Sequence, residues 1–257
     1  MQEISSRENR IFKDALKLQK KKYRDETGCY LIEGPNLIEE AQKCDKKIRT
    51  IFYMDGYDGP RFSKENVFIL STGLFCELSQ TETPQGVIAI VEKSVADLNI
   101  FIDMPESNFL FLDMVQDPGN VGTIIRTADA AGYSLVILKK GSCDVYQSKV
   151  VRAAAGSLMR VPVIYMDSYD ELVSFSKKAK KKLVSSALNA SDYYYNVDLT
   201  KDIILIMGNE GNGVSEELIN KSDIRIKIPM EGSIESLNCA VSAGILLYER
   251  IRQCKKD

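Results

Sequence analysis

The chain has 257 residues, a formal net charge of −2 at pH 7 and 44% hydrophobic residues, an ordinary globular balance with room for two domains. It contains no histidine, which removes Ser-His-Asp and Cys-His nucleophiles and every His-ligated metal site. No run approaches the roughly 20 apolar residues of a membrane span, the charged start MQEISSRENRIFK lacks the apolar region of a signal peptide, and no cysteine pair has C-x-x-C spacing; we therefore expect a cytoplasmic protein with no membrane span and no metal.

Residues 7–23 read as a helix, with Ile11, Ala15, Leu16 and Leu18 at roughly helical spacing. The same stretch gathers Arg7, Arg10, Lys13, Lys17, Lys20, Lys21, Lys22 and Arg24 against Glu8 and Asp14. Such a stripe is either an electrostatic footprint for phosphates or a solvated helix face. GCYLIEG then reads as a strand, and PNLIEEAQKCD as a helix with Pro35 at its first position. IRTIFYM, NVFILS and VIAIVEK are strands, with a short helix and a turn within STGLFCELSQTETPQG. This alternation predicts a small α/β domain over residues 1–95. Periodicity fades over 96–107, where we place a linker.

Over residues 108–257 the alternation restarts more strongly. NFLFLDMV is a buried strand, and GNVGTIIRTADAAG a helix that closes at Gly132. YSLVILKK is a strand, YQSKVVRAAAGSL a helix, VPVIYM a strand and SYDELVSFSKKAKKK a helix. LVSSAL and DIILIMG are strands, SEELINKS a short helix, IRIKIPM a strand, and SLNCAVSAGILLYERIRQC a long final helix. Apolar strands alternating with helices predict a parallel sheet covered on both faces, with ligands beyond the carboxyl ends of its strands.

Three strands leave through glycines and small polar residues: FLFLDMV into QDPGNVGTIIR, DIILIMG into NEGNGVSEE, and IRIKIPM into EGSIESLNCAVSAG. None is a familiar nucleotide loop. Gly119 and Gly122 are not in G-x-G-x-x-G register, which disfavours a nicotinamide dehydrogenase, and no Gly-Lys-Ser/Thr occurs. Glu210 inside GNEGNG would repel a phosphate, so that loop suits a neutral or positive ligand.

DPGNVGTIIRTADAAG, LIMGNEGNGVSEEL and IPMEGSIESLNCAVSAGILLYE resemble, in order, the three motifs of the SpoU/TrmH family of RNA ribose 2′-O-methyltransferases. The stretch SSRENRIFKDALKLQKKKYRDETGCYLIEGPNLIEEA resembles the substrate-binding domain that precedes the catalytic domain in many members. The resemblance implies an α/β fold: a C-terminal α/β-knot (SPOUT-type) domain after a small ribosomal-protein-like α/β domain. It implies S-adenosylmethionine (SAM) as cofactor, a homodimer, and RNA as partner, with 23S ribosomal RNA the leading substrate and transfer RNA the alternative. A non-catalytic RNA-binding protein of the same fold, or a cysteine-dependent base methyltransferase using Cys239, are the rival classes.

By the same resemblance Arg126 is the motif arginine, either the base or a clamp on the target phosphate that stabilises the developing alkoxide. Because arginine rarely gives up its proton, the clamp is the safer role. Asn120 is placed near the reacting ribose or Arg126, Glu210 against Arg126 or the substrate, and Ser236 and Asn238 in the active site and against the cofactor. The bland alternatives are a salt bridge for Arg126, a solvated acid for Glu210, and helix N-caps for Asn120, Ser236 and Asn238. Cofactor contacts carry over to Met207, Gly208, Ile228, Met230, Ser236 and Leu237, with core packing as the alternative for Ile228 and Leu237. RNA backbone contacts are expected from Arg7, Arg10, Lys20, Lys21 and Lys22.

Overall fold

The structure, a computed structural model, describes residues 1–63 and 66–255. Contacts divide the chain into two units: Met1–Ser94 with Asp144–Met159, and Val95–Cys143 with the chain from Arg160 onward. The first unit runs β1 (Gln2–Ile4), α1 (Arg10–Lys17), α2 (Lys21–Thr27), β2 (Cys29–Glu33), α3 (Pro35–Lys43), β3 (Ile48–Met54), β4 (Val67–Leu70), α4 (Thr72–Leu78) and β5 (Val87–Glu92). Its sheet has the order β1-β4-β3-β5-β2, parallel from β1 to β3 and antiparallel through β5 to β2. Phe12, Phe52, Phe75 and Leu78 fill the core that one face of this sheet shares with α1 and α4.

The single helix expected over 7–23 is two. Asn9 caps α1 by accepting from the Ile11 and Phe12 N–H groups, and the chain breaks at 18–20 before α2. The break is held by Arg24, whose Nη1 donates to the Leu18 and Gln19 carbonyls at 2.9 Å each. Its Nη2 pairs with Asp144 Oδ2 at 2.6 Å, with both side chains nearly buried. Those carbonyls are the orphans of a helix end, and a buried guanidinium satisfies them as another helical turn would.

The second unit begins with a 3-10 turn at Leu98–Phe101, inside the expected linker, and Phe101, Leu98 and Ile102 pack on the second core. β6 (Phe109–Leu112), α5 (Pro118–Ala130) and β7 (Leu135–Lys139) follow. Gly132, at φ +73°, closes α5 in the left-handed region that glycine enters without strain. The chain then supplies α6 (Ser148–Ala154) and most of α7 (Ser157–Arg160) to the first unit. One helix was expected here; Ala155 at φ +46° and Gly156 at φ +91° break it. Sequence alone groups 144–159 with the second half, but the Arg24–Asp144 pair and the Tyr30–Tyr146 ring contact at 4.8 Å hold this segment in the first unit.

β8 (Val163–Met166), α8 (Tyr169–Lys178), β9 (Lys182–Ser186), β10 (Asp192–Tyr193), β11 (Ile203–Met207), α9 (Glu216–Lys221), β12 (Ile224–Lys227) and α10 (Cys239–Cys254) complete the second unit. The sheet order is β10-β12-β9-β11-β6-β7-β8, and every pairing is parallel. β6 and β11 are buried along their whole length, as a sheet covered on both faces requires. From β12 the chain crosses back over 228–238 to seat α10 against α5, so it passes the carboxyl ends of β9 and β11. Among the described residues no helix is long and apolar enough to cross a membrane.

Candidate active site

The three glycine-bearing segments meet at one edge of the parallel sheet. Asp117 caps α5 by accepting from the Asn120 N–H at 2.8 Å, with Pro118 in the first turn. Asn120 is therefore inside the helix rather than its cap, and its side chain is available for other work. Its Nδ2 donates to Glu210 Oε1 at 3.1 Å, and its Oδ1 accepts from Asn238 Nδ2 at 3.1 Å. Asn238 also caps α10, its Oδ1 accepting from the Ala240 and Val241 N–H groups. It serves as cap and cross-link together, and the final helix starts at Cys239, three residues later than the sequence pattern placed it.

Glu210 is held tightly. Its carboxylate accepts from the Gln116 N–H at 3.3 Å, the Asp117 N–H at 3.1 Å and Asn120 Nδ2. Burial alone would raise its pKa, but the bond from Asn120 and those from backbone N–H groups outweigh it and hold the carboxyl below the usual range. Glu210 is thus a structural anion that ties the loop after β11 to the start of α5.

That loop is itself closed. Asn209 and Gly213 exchange backbone hydrogen bonds at 2.9 Å, and Asn209 Oδ1 accepts from the Gly211 and Asn212 N–H groups. A Cβ on Gly208 would lie 2.0 Å from the Gly213 backbone, so only glycine permits the closure. Asn209 Nδ2 donates to the Met114 carbonyl at 2.8 Å, a second tie to the segment after β6.

A cleft of about 460 Å³ lies beside this constellation. Met207, Gly208, Ile228, Met230, Ser236 and Leu237, the six expected cofactor contacts, all line it, and so does Glu210. Ile228 and Leu237 are half-buried rather than core. The volume suits a nucleoside-sized ligand, and walls that include Met207, Ile228, Met230 and Leu237 suit an adenine ring. Ser236 is exposed and caps no helix.

Arg126 lies on α5 about 9 Å along the axis from Asn120 at 1.5 Å per residue. It is exposed and makes no ion pair or hydrogen bond among the described residues, so the salt-bridge alternative has no partner here. Glu210 does not hold it. Arg126, Asn120 and Asn238 stand outside the cleft lining.

Two residues escaped the sequence reading. Asp113, at the end of β6, is buried; its Oδ1 accepts from the Tyr169 hydroxyl at 2.7 Å and its Oδ2 from the Ser215 N–H at 2.8 Å. It braces the exit of the Gly208–Val214 loop. An acid ending an otherwise apolar strand was the available signal. Asn209 was the other, hidden among the glycines of GNEGNG.

Cys239 Sγ donates to the Gly208 carbonyl at 3.3 Å, and burial first, then the Glu210 charge, pushes its thiol up to about 12. A thiol so placed stays protonated at neutral pH, which removes the cysteine-nucleophile class. Among the described residues no group of acidic or cysteine side chains could hold a metal ion.

In the first unit, Arg7 forms a forked pair with Glu77, and Arg10 approaches Asp14 at 3.8 Å. Lys20, Lys21 and Lys22 are exposed around the break between α1 and α2, with Lys22 reaching Glu26 at 3.9 Å.

A parallel α/β sheet whose loops are cross-linked beside a nucleoside-sized cleft defines the class of α/β proteins that bind a nucleotide-like ligand beyond the carboxyl ends of their strands. The SpoU rRNA Methylase family matches residues 107–248, and an MRM3-like substrate binding domain matches residues 9–89. The chain belongs to the SpoU rRNA methylase family. It is 38% identical over 259 positions to the 23S rRNA (guanosine(2553)-2′-O)-methyltransferase RlmP of Bacillus subtilis, covering 96% of this chain and 98% of that one. It is 30% identical to the 23S rRNA (uridine(2479)-2′-O)-methyltransferase of Streptomyces viridochromogenes, covering 97% and 92%. The AdoMet-bound rRNA methyltransferase of Sinorhizobium meliloti superposes with a TM-score of 0.88 at 32% identity, covering 99% of each chain. The fold is accordingly of the SPOUT type, with an N-terminal domain in front of it.

Proposed function

We propose that this protein transfers the methyl group of SAM to a ribose 2′-hydroxyl of 23S ribosomal RNA. The observation that carries this reading is the Glu210–Asn120–Asn238 chain, which joins all three motif segments beside the cleft. Bound in the cleft, SAM supplies an electrophilic sulfonium methyl; the chemistry of activation is the cofactor's own. Met207, Ile228, Met230 and Leu237 would flank the adenine, and the backbone at Gly208 and Ser236 would bind its polar atoms.

The chain's task is then positioning and charge. Asn120 and Asn238 are fixed by Glu210 and by the α10 cap, and they orient the ribose. Arg126, unpaired and exposed, clamps the phosphate of the target nucleotide and stabilises the developing alkoxide as the hydroxyl proton passes to solvent water. Its lack of an internal partner supports that role, since no carboxylate competes for the guanidinium. In the first unit Arg7, Arg10, Lys20, Lys21 and Lys22 contact the RNA backbone. Domain roles are then divided between the two units: the first, Met1–Ser94 with Asp144–Met159, binds the RNA substrate, and the second holds the cofactor, its C-terminal segment knotted to form that site.

The working form is a homodimer in the cytoplasm, where the ribosome is assembled. Val241 and Tyr248, seven residues apart on α10, share one face and are 52% and 50% exposed, an apolar stripe that a second copy would cover. Methyl transfer from labelled SAM to unmodified 23S ribosomal RNA and, separately, to transfer RNA tests the reading. Label in 23S RNA at a mapped 2′-O-methyl site is expected; label confined to transfer RNA, or SAM binding with no transfer, would overturn it.

A further inference from the structure

The second unit carries three consecutive tyrosines that no role above uses. Tyr193 and Tyr195 are stacked, with ring centroids 5.4 Å apart and planes at 12°. Tyr194 meets Tyr195 edge-on at 5.2 Å. Lys227 Nζ lies 5.2 Å from the centre of the Tyr193 ring. Tyr193 and Tyr195 are nonetheless 38% and 44% exposed.

Their position gives the stack a meaning. Tyr193 pairs in register with Lys227, so it stands at the carboxyl end of β10. Lys227 and the next residue, Ile228, line the cleft. The stack is therefore continuous with the cofactor site along one edge of a parallel sheet. It is also rigid. Gln253, near the end of α10, donates to the Val197 carbonyl and accepts from the Leu199 N–H, both at 2.9 Å, so the turn that bears the tyrosines is anchored just beyond them.

Exposed aromatic rings that are held flat, pre-stacked and beside a cation are what an unpaired nucleobase recognises: a π face continues the stack and the ammonium attracts the adjoining phosphate. A second protein copy is the poorer occupant, because the patch is small, hydroxylated and charged. We infer that Tyr193 and Tyr195 form a stacking subsite for an unpaired base of the RNA substrate that flanks the target nucleotide. The inference rests on the RNA reading above.

The full chain contains no tryptophan, so Tyr195→Trp creates a single reporter in the stack. Titration with a single-stranded oligoribonucleotide should quench its fluorescence, and an abasic oligomer of equal length should not. In the methyl-transfer assay, Tyr193→Ala with Tyr195→Ala should raise the KM for 23S RNA about tenfold with kcat and SAM affinity unchanged. Tyr193→Phe with Tyr195→Phe should behave as the parent. An unquenched reporter, equal quenching by the abasic oligomer, or an unchanged KM in the double alanine variant would overturn the subsite while wild-type methyl transfer left the function standing. A quenched reporter in a protein that methylates no RNA would overturn the function and keep the subsite.

Discussion

Glu210 accepts hydrogen bonds from the Gln116 and Asp117 N–H groups and from the Asn120 and Asn209 side chains, and its charge state decides whether the site stays assembled. Its carboxyl is held below the usual range, so the stabilisation is present above the ordinary glutamate pKa of about 4.3 and is lost only as pH falls through the lower folded value. From pH 5 to 9 the profile of kcat/KM should show no acid limb from this group; a limb near pH 6 that vanishes in Glu210→Gln would contradict the assignment. Arg126 makes the second residue-scale test. Arg126→Ala should cut kcat by about 100-fold or more, the usual cost of one oxyanion-stabilising donor, while calorimetry finds SAM affinity unchanged. Full turnover in that variant would return Arg126 to a surface residue. Both side chains were singled out by the sequence because their motifs are short and local. The partner of Glu210 was not: the expected target was Arg126 or the substrate, and within the protein it meets Asn120, a residue that sequence pattern offered as a helix cap.

At the scale of elements, the break in the helix predicted over 7–23 has a cause far away in the chain. Hydrophobic spacing ran through residues 18–20 without a break, since Leu16 and Leu18 fit a helix that continues. The break exists because Arg24 turns back on the Leu18 and Gln19 carbonyls and pairs with Asp144, 120 residues away. Arg24→Ala should destabilise the protein by about 3–5 kcal/mol, the range for removing one partner of a buried pair, read as a lower midpoint in urea denaturation; a change under about 1 kcal/mol would show the pair to be idle. The same break presents Lys20, Lys21 and Lys22 to solvent. Replacing all three with glutamine should weaken RNA binding and lower the slope of log K against log salt by up to about 2. An unaltered slope would make the stripe a solvated helix face. Strand content was easier to read: β6 and β11 are apolar throughout and β7 is apolar up to Lys139, and only a sheet covered on both faces accommodates that.

For the whole molecule, the prediction concerns association. Val241→Glu places a charge at the N-terminal end of the exposed apolar stripe on α10. Sedimentation of the parent should give a dimer at micromolar concentration, and the variant should give a monomer with reduced methyl transfer. A parent that remains monomeric and fully active would remove the second copy from the mechanism. The return of residues 144–159 to the first unit is also a property of this scale. Their helical pattern is visible in the sequence, but their allegiance depends on Arg24 and Tyr30.

Local chemistry determined a great deal. Periodicity of two or 3.6 residues marks strands and helices, glycine marks turns, and the order of three motifs marks the family; each signal is written within about ten residues of itself. The tertiary structure alone decided which of those signals meet. Glu210 and Asn120 are 90 residues apart and Asn120 and Asn238 are 118 apart, and nothing in either neighbourhood specifies the other. Asp113, Asn209 and the Tyr193–Tyr195 stack acquire their roles in the same way, because a parallel sheet brings the carboxyl ends of all its strands to one edge however far apart they lie in the chain.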